Sequence, residues 1–272
     1  MAGCTGLVLG RWSFSERDPS CPMLDVSGIS NRSLLGRALR LPLQLIPDSM
    51  EMRILQGPLK GKRWVAGSSN HGCWLGSYEF EKQKEIAATV RPGMVCFDIG
   101  ANVGFYSLLM SKIAGPRGIV VAFEPVPRNC GFLRRHLLIN ACTNVVVQDL
   151  ALADFDGTAS FEPTQSSCEG HLAEKGSLVV RCARIDSLVA AGEIAAPDVM
   201  KIDVEGAEKA VLDGANRVIA RNKPVIFLAT HGEQTHRECC SMLQQIGYRI
   251  APLSGTSVEH CDEIVAYPRG EF

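Results

Sequence analysis

The chain has 272 residues, 46% of them hydrophobic, and its 28 Lys and Arg against 29 Asp and Glu leave a formal net charge of -1. That much apolar chain suffices for one large domain with an appendage and excludes disorder of the whole, while the balanced charge gives no positive field for phosphate backbones, so nucleic acid is not an expected partner. No run approaches the roughly 18–20 consecutive apolar residues that cross a bilayer, so no transmembrane segment is expected.

Residues 1–33 mix Ser, Gly, Pro and charges without a sustained period and read as a flexible leader. Residues 1–10 are weakly apolar but lack a basic start, and Arg11 interrupts them, so the expected compartment is cytoplasmic. Residues 34–90 form an N-terminal extension. In it, Leu34, Leu35, Ala38, Leu39 and Leu41 alternate with Arg32, Arg37 and Arg40 as in a short amphipathic helix over 33–45, stopped near Pro42. A small hairpin follows over 52–66, around Gly57-Pro58 and Gly61, and then a helix over 79–90. The eleven cysteines show no C-x-x-C pair and accompany no targeting signal, so reduced thiols and no metal ligation by cysteine are expected. Cys239 and Cys240, adjacent in a helix, should place one side chain in the core and the other toward solvent.

From Arg91 to the end, 91–272, short apolar runs alternate with helical segments, the pattern of an α/β fold with a mainly parallel sheet flanked by helices. Strands are expected at 95–99, 119–123, 145–148, 199–202, 225–229, 249–252 and 264–267. A hairpin from 158–161 and 178–183 decorates them. Right-handed crossovers place ligand-binding loops at the strand carboxyl ends.

The strongest local signal is Val95-Cys96-Phe97-Asp98-Ile99-Gly100-Ala101-Asn102-Val103-Gly104-Phe105, a strand passing through a glycine turn into a helix. Gly100 and Gly104 remove Cβ atoms where a ligand approaches backbone, and Asp98 sets a carboxylate suited to a cationic, amine-bearing ligand. Twenty residues after Gly104, the strand 119–123 delivers Glu124, which can accept two ribose hydroxyl bonds or, alternatively, cap the following helix. A nucleotide-cofactor oxidoreductase also uses a glycine turn and a ribose acid, but D-x-G-x-x-x-G lacks the G-x-G-x-x-G spacing that seats a pyrophosphate, which Asp98 would repel.

A second cluster, Lys201-Ile202-Asp203-Val204-Glu205-Gly206-Ala207-Glu208, ends another strand. Asp203 and Glu205, two apart in an extended strand end, share a face and point into the cleft; alternatively one caps the helix beginning near Ala207. His231, with Glu233 nearby, follows a strand over 224–230 and is a candidate general base because an ordinary histidine near pH 6.5 takes a proton at neutrality. Asp203 and Glu205 are its substitutes. The paired acids with His231 also resemble a divalent-metal site, but Asp203, Glu205 and His231 match no familiar metal spacing, and no metal is expected. His71 is weighed as lining a substrate entrance near Trp74.

Several blocks share their order and spacing with one family: Gly76-Ser77-Tyr78-Glu79, Phe97-Asp98-Ile99-Gly100-Ala101-Asn102-Val103-Gly104, Ala122-Phe123-Glu124-Pro125, Asn144-Val145, Ala151-Leu152-Ala153-Asp154 and 201–208. From about Gly57 to Leu253 the chain resembles the FkbM family of methyltransferases. The resemblance implies a Rossmann-like class I methyltransferase fold and methyl transfer from S-adenosylmethionine, usually to a hydroxyl. By position, it implies Asp98, Gly100, Asn102 and Gly104 around the methionine part, Glu124 at the ribose and the 149–152 turn, with Ala151, at the adenine. It also implies that the Tyr78-Glu79 block closes over the cofactor, although Glu79 reads equally as a first-turn helix residue. The expected acceptor is a hydroxyl on a small molecule, glycan or lipid. The non-enzyme alternative is a methyltransferase-like binding module without activity.

Overall fold

A computed structural model describes residues 42–163, 170–172, 178–255 and 257–270. The expected leader and most of the amphipathic helix before Pro42 lie outside these residues; Pro42–Leu45 is a single 3-10 turn. Two short strands, β1 (Glu51–Arg53) and β2 (Arg63–Val65), pair antiparallel as the expected hairpin. Helices α1 (Gly72–Leu75) and α2 (Phe80–Thr89) follow, and Glu79 stands just ahead of α2 in left-handed conformation (φ 41°).

The main sheet is laid down as β3 (Val95–Ile99), α3 (Phe105–Ala114), β4 (Ile119–Phe123), α4 (Pro127–Ile139) and β5 (Val145–Gln148). After an excursion come β10 (Val199–Ile202), β11 (Val225–Ala229), β12 (Tyr248–Pro252) and β13 (Glu263–Pro268). Their order is β12-β13-β11-β10-β3-β4-β5. Strands β3, β4, β5, β10 and β11 pair in parallel; β13 runs antiparallel between β11 and β12. The excursion is a second sheet of β6 (Ala151–Leu152), β7 (Gly157–Pro163), β8 (Gly170–Leu172) and β9 (Leu178–Ala183), where β7 and β9 pair antiparallel as expected but β8 intervenes in the chain and pairs with the other edge of β7.

Period-two alternation divides the strands between two cores. Phe97, Ile99, Val121, Phe123, Met200, Ile202, Ile226 and Leu228 face one layer, covered by α5 (Ile185–Ala190), α6 (Glu208–Gly214), α7 (Asn216–Asn222) and α8 (Glu233–Gln245). Cys96, Val120, Val199, Phe227 and Val265 face the other with residues of α3, Ile86 of α2, and Trp64 and Trp74 of the extension. Both Cys239 and Cys240 are buried, contrary to the one-in, one-out expectation. Sulfur is small and apolar enough for the broad buried face of α8 to take both.

Candidate active site

The cavity lies where β3, β4 and β10 end side by side, and it measures about 440 Å³. Its floor is the turn after β3. The N–H groups of Gly100 and Ala101 donate to the carbonyl of Phe123, and the N–H of Asp203 donates to the carbonyl of Ile99, so the turn is pinned from both neighbouring strands. A Cβ on Gly100 (φ 69°) would lie 1.9 Å from the carbonyl oxygen of Asp203, and one on Gly104 (φ 91°) would lie 2.3 Å from the side chain of Leu133. Both glycines therefore serve close approach by the protein's own segments, a requirement independent of any ligand.

Glu124, at the end of β4, lines the cavity and is 4% exposed. Its Oε2 accepts the Asn102 N–H at 2.8 Å; its Oε1 accepts the Val126 N–H at 2.9 Å and the Asn129 amide at 3.3 Å. Burial raises its pKa, and those hydrogen bonds oppose the rise. Asn102, in left-handed conformation at φ 51°, thus orients the acid with its backbone. Next to them Val126, Leu150, Ala151 and Leu152 form an apolar wall. Asp149 turns away and pairs with Arg134 at 2.6 Å.

Asp98 does not line the cavity. It has no exposed surface; Ser107 donates to its Oδ2 at 2.6 Å, and Lys201 Nζ lies 3.5 Å from its Oδ1. Lys201, on β10, does reach the cavity, donating to the carbonyl of Gly100 at 2.8 Å and approaching Asp203 at 3.7 Å. Asp98 is thus a buried anchor for the lysine that holds the turn.

At the opposite end, Asp203 and Glu205 both line the cavity, but not as a shared strand face. Strand β10 stops at Ile202, and Glu205 takes left-handed φ of 54°, so a turn brings the two carboxylates together. Asp203 has a lowered pKa: burial pushes it up, and Lys201, Lys82 and His231 outweigh burial. His231 stands beside this pair, with Nε2 3.3 Å from Glu205 and 4.0 Å from Asp203. Its Nδ1 lies 2.8 Å from Oε1 of Glu208, a fully buried carboxylate that also accepts the Gly206 N–H at 2.9 Å. The Glu208 hydrogen bond, against the cost of burial and with Glu205 and Asp203 adding to it, raises the His231 pKa to about 9. With no cation bound, His231 is protonated at neutral pH, unlike the free imidazole its ordinary value suggests. Glu233 points away to Arg237. His71 accepts a hydrogen bond from the Trp74 indole at 3.2 Å, while its neighbours Ser69, Asn70 and Cys73 reach the cavity.

Glu79 lies one layer behind. It accepts the Tyr106 hydroxyl at 2.7 Å and pairs with Lys82 at 2.6 Å, while Tyr78 and Tyr106 themselves line the cavity. Lys82, from α2, is 3% exposed and also pairs with Glu263 of β13 and, at 4.0 Å, with Asp203. Burial lowers the Lys82 pKa, but Glu79, Asp203 and Glu263 together lift it above its ordinary value. Sequence reasoning assigned no role to Lys82, Lys201, Glu208 or Glu263. Lys201 and Glu208 sit inside a block that the sequence marks, whereas nothing in the surroundings of Lys82 and Glu263 does so.

A seven-stranded sheet with one antiparallel strand beside its edge, and a cavity at the carboxyl ends of its central strands, is the architecture of class I methyltransferases. The chain belongs to the FkbM methyltransferase family: residues 98–250 match the Methyltransferase FkbM domain. It is 32% identical over 127 residues to the hexuronic acid methyltransferase AglP of Haloferax volcanii, covering 46% of this chain and 51% of the relative. It is 28% identical over 158 residues to the 31-O-demethyl-FK506 methyltransferase FkbM of Streptomyces tacrolimicus, covering 46% of this chain and 60% of the relative. The chain thus spans about half the length of the curated relatives it matches. Among solved structures, the methyltransferase FkbM of Methylobacillus flagellatus aligns with TM-score 0.48 and 17% identity, covering 72% of this chain and 53% of that one. Among the described residues no helix is long and apolar enough to cross a membrane.

Proposed function

We propose that the chain transfers a methyl group from S-adenosylmethionine to a hydroxyl of a small molecule, glycan or lipid. The observation that carries this reading is one cavity with a hydrogen-bonded acid, Glu124, on the β4 side and an acid-rich cluster, Asp203 and Glu205, on the β10 side. The chemistry of these donors and acceptors fits the cofactor: Glu124 suits ribose hydroxyls, the Leu150 to Leu152 wall suits adenine, and the carboxylate of Asp203 suits the cationic methionine end. Gly100, Asn102 and Gly104 shape the turn beneath it, Asp98 holds that turn through Lys201, and Glu79 supports Tyr78 and Tyr106 from behind.

Bound there, S-adenosylmethionine supplies an electrophilic methyl on a positively charged sulfur. This chain's residues must align an acceptor oxygen with that methyl and take up the proton the hydroxyl loses. Protonated His231 is not the acceptor of that proton. With no cation bound, Glu205, at the cavity mouth, fits the role better than Asp203, whose lysine neighbours lower its basicity. The names of both curated relatives describe oxygen-bearing acceptors, which supports a hydroxyl as the methylated group.

The test is calorimetric titration with S-adenosylhomocysteine, followed by transfer of labelled methyl into fractionated cell extract. Saturable binding that weakens at least tenfold in Glu124→Ala, with label appearing in an alkali-stable ether product, is the expected result. Binding untouched by Glu124→Ala would remove the proposed site. Uptake of NADH in place of the adenosyl compound would favour the oxidoreductase alternative.

A further inference from the structure

The acceptor end of the cavity is organised more closely than proton transfer alone requires. Asp203, Glu205 and His231 each bring one oxygen or nitrogen into a group whose atoms all lie within 4.8 Å of one another. A cation about 2.1 Å from each ligand sets adjacent ligand atoms about 3 Å apart, close to the 3.3 Å between His231 Nε2 and Glu205 and within a small rotation of the 4.0 Å to Asp203.

Two further observations separate this group from an ordinary acidic cluster. The first is the fixed direction of His231. Glu208 is fully buried, accepts backbone N–H groups of Gly206 and Val204, and engages the imidazole Nδ1, so Nε2 is held toward Glu205 and Asp203. A carboxylate behind a histidine is the device that fixes the tautomer and raises the basicity of a metal-ligating imidazole. The second is the division of labour within Asp203: Oδ2 faces Lys201 and Lys82, while Oδ1 faces His231. The lysines therefore leave the oxygen on the cluster side to another cation. The wider charge count agrees. Glu79, Asp98, Asp203 and Glu263 share Lys82 and Lys201, while Glu205 and Glu208 both meet His231, so carboxylates outnumber the cationic nitrogens among these ion pairs.

We propose that Asp203, Glu205 and His231 form a divalent-cation site of two carboxylates and one imidazole at the acceptor end of the cavity, oriented by Glu208. Two oxygen donors with one nitrogen suit a cation of the Mn²⁺ or Mg²⁺ kind, which keeps remaining positions for water or for an acceptor oxygen. The purpose of the site rests on the methyltransferase reading; its geometry does not.

The test uses the full chain after dialysis against EDTA, titrated with MnCl₂ by calorimetry, with free Mn²⁺ followed by electron paramagnetic resonance. One saturable site is expected in the wild type. Affinity should fall at least tenfold in Glu205→Gln and His231→Ala, and roughly 10–100-fold in Glu208→Gln, which leaves the three ligands in place. Each variant should keep the wild-type circular dichroism spectrum and a cooperative thermal transition, showing that it is folded. If Glu208→Gln does not fold, Glu205→Gln, altered at the cavity mouth, decides the matter. No saturable Mn²⁺ binding by the wild type, or equal affinity in the variants, overturns the proposal. Mn²⁺ binding without S-adenosylhomocysteine binding would instead sink the methyl-donor reading and leave the cation site standing.

Discussion

The imidazole of His136 lies flat on the indole of Trp64, ring centroids 3.8 Å apart and planes within 12°. The ring is fully buried. Its Nε2 accepts the Val65 N–H at 3.1 Å, so its Nδ1 carries the proton and donates to the Val103 carbonyl at 2.7 Å. One side chain of α4 therefore joins β2 of the extension to the turn beneath the cavity.

His136→Leu should lower stability by about 2–4 kcal/mol, because it strands a buried N–H and a buried carbonyl at about 1–3 kcal/mol each. A reduced urea midpoint with an unchanged slope would show this. An unchanged midpoint would mean that the link between extension and turn carries no energy.

His136 also gives the fold a pH dependence. Burial, opposed by the Val103 bond, pushes its pKa down to about 4 from an ordinary 6.5. The unfolded chain then binds the extra proton first, so stability present above pH 6.5 is lost as pH falls toward 4. The loss from this group approaches about 3 kcal/mol, since each tenfold difference in proton affinity between the folded and unfolded chain is worth about 1.4 kcal/mol. Denaturation curves between pH 7 and 4 should show a decline that His136→Leu flattens; equal slopes in both proteins would refute the assignment.

Asp98 and Glu124 should separate in their effects. Asp98→Ala leaves Lys201 buried without its innermost partner and should destabilise the fold by about 3–5 kcal/mol. Glu124→Gln keeps the shape of the side chain but weakens charge-assisted bonds at the cavity, and should raise the dissociation constant for S-adenosylhomocysteine about tenfold, or about 1.4 kcal/mol. Thermal unfolding and calorimetry on both variants check the distinction. A Glu124→Gln protein with unaltered affinity and lowered melting temperature would reverse it.

Gly100→Ala should abolish cofactor binding or folding, since the new methyl would meet the Asp203 carbonyl at 1.9 Å and push β10 away from β3. Gly93→Ala is the control. Gly93 also has positive φ, 90°, but nothing lies within 4 Å of its missing Cβ, so only the backbone cost of about 1–2 kcal/mol applies. Equal effects of the two substitutions on circular dichroism and binding would show that close approach is not the constraint at Gly100.

The parallel strands were legible because each is a short apolar run rich in β-branched residues between polar segments, and β3, β4, β5, β10 and β11 fall where those runs predict. Position in space was less legible. Alternation says which residues of β3 share a face but not which face opens onto the cavity, and Asp98 proves to lie beneath the floor. The turn placing Glu205 beside Asp203 depends on a left-handed backbone at a glutamate, a conformation sequence patterns do not announce. Lys82 and His136 were illegible for a related reason: each lies in an ordinary charged helix, and only tertiary packing surrounds it with carboxylates or backbone partners.

Lys82 joins a helix that precedes the family-matched region to Glu263 on a strand that follows it, and the same ammonium lies 4.0 Å from Asp203 inside that region. One ammonium thereby ties pieces on both sides of the shared portion to an acid on the cavity wall. An exchange of those outer pieces that dropped the ammonium would accordingly leave Glu79, Asp203 and Glu263 to repel one another across the join.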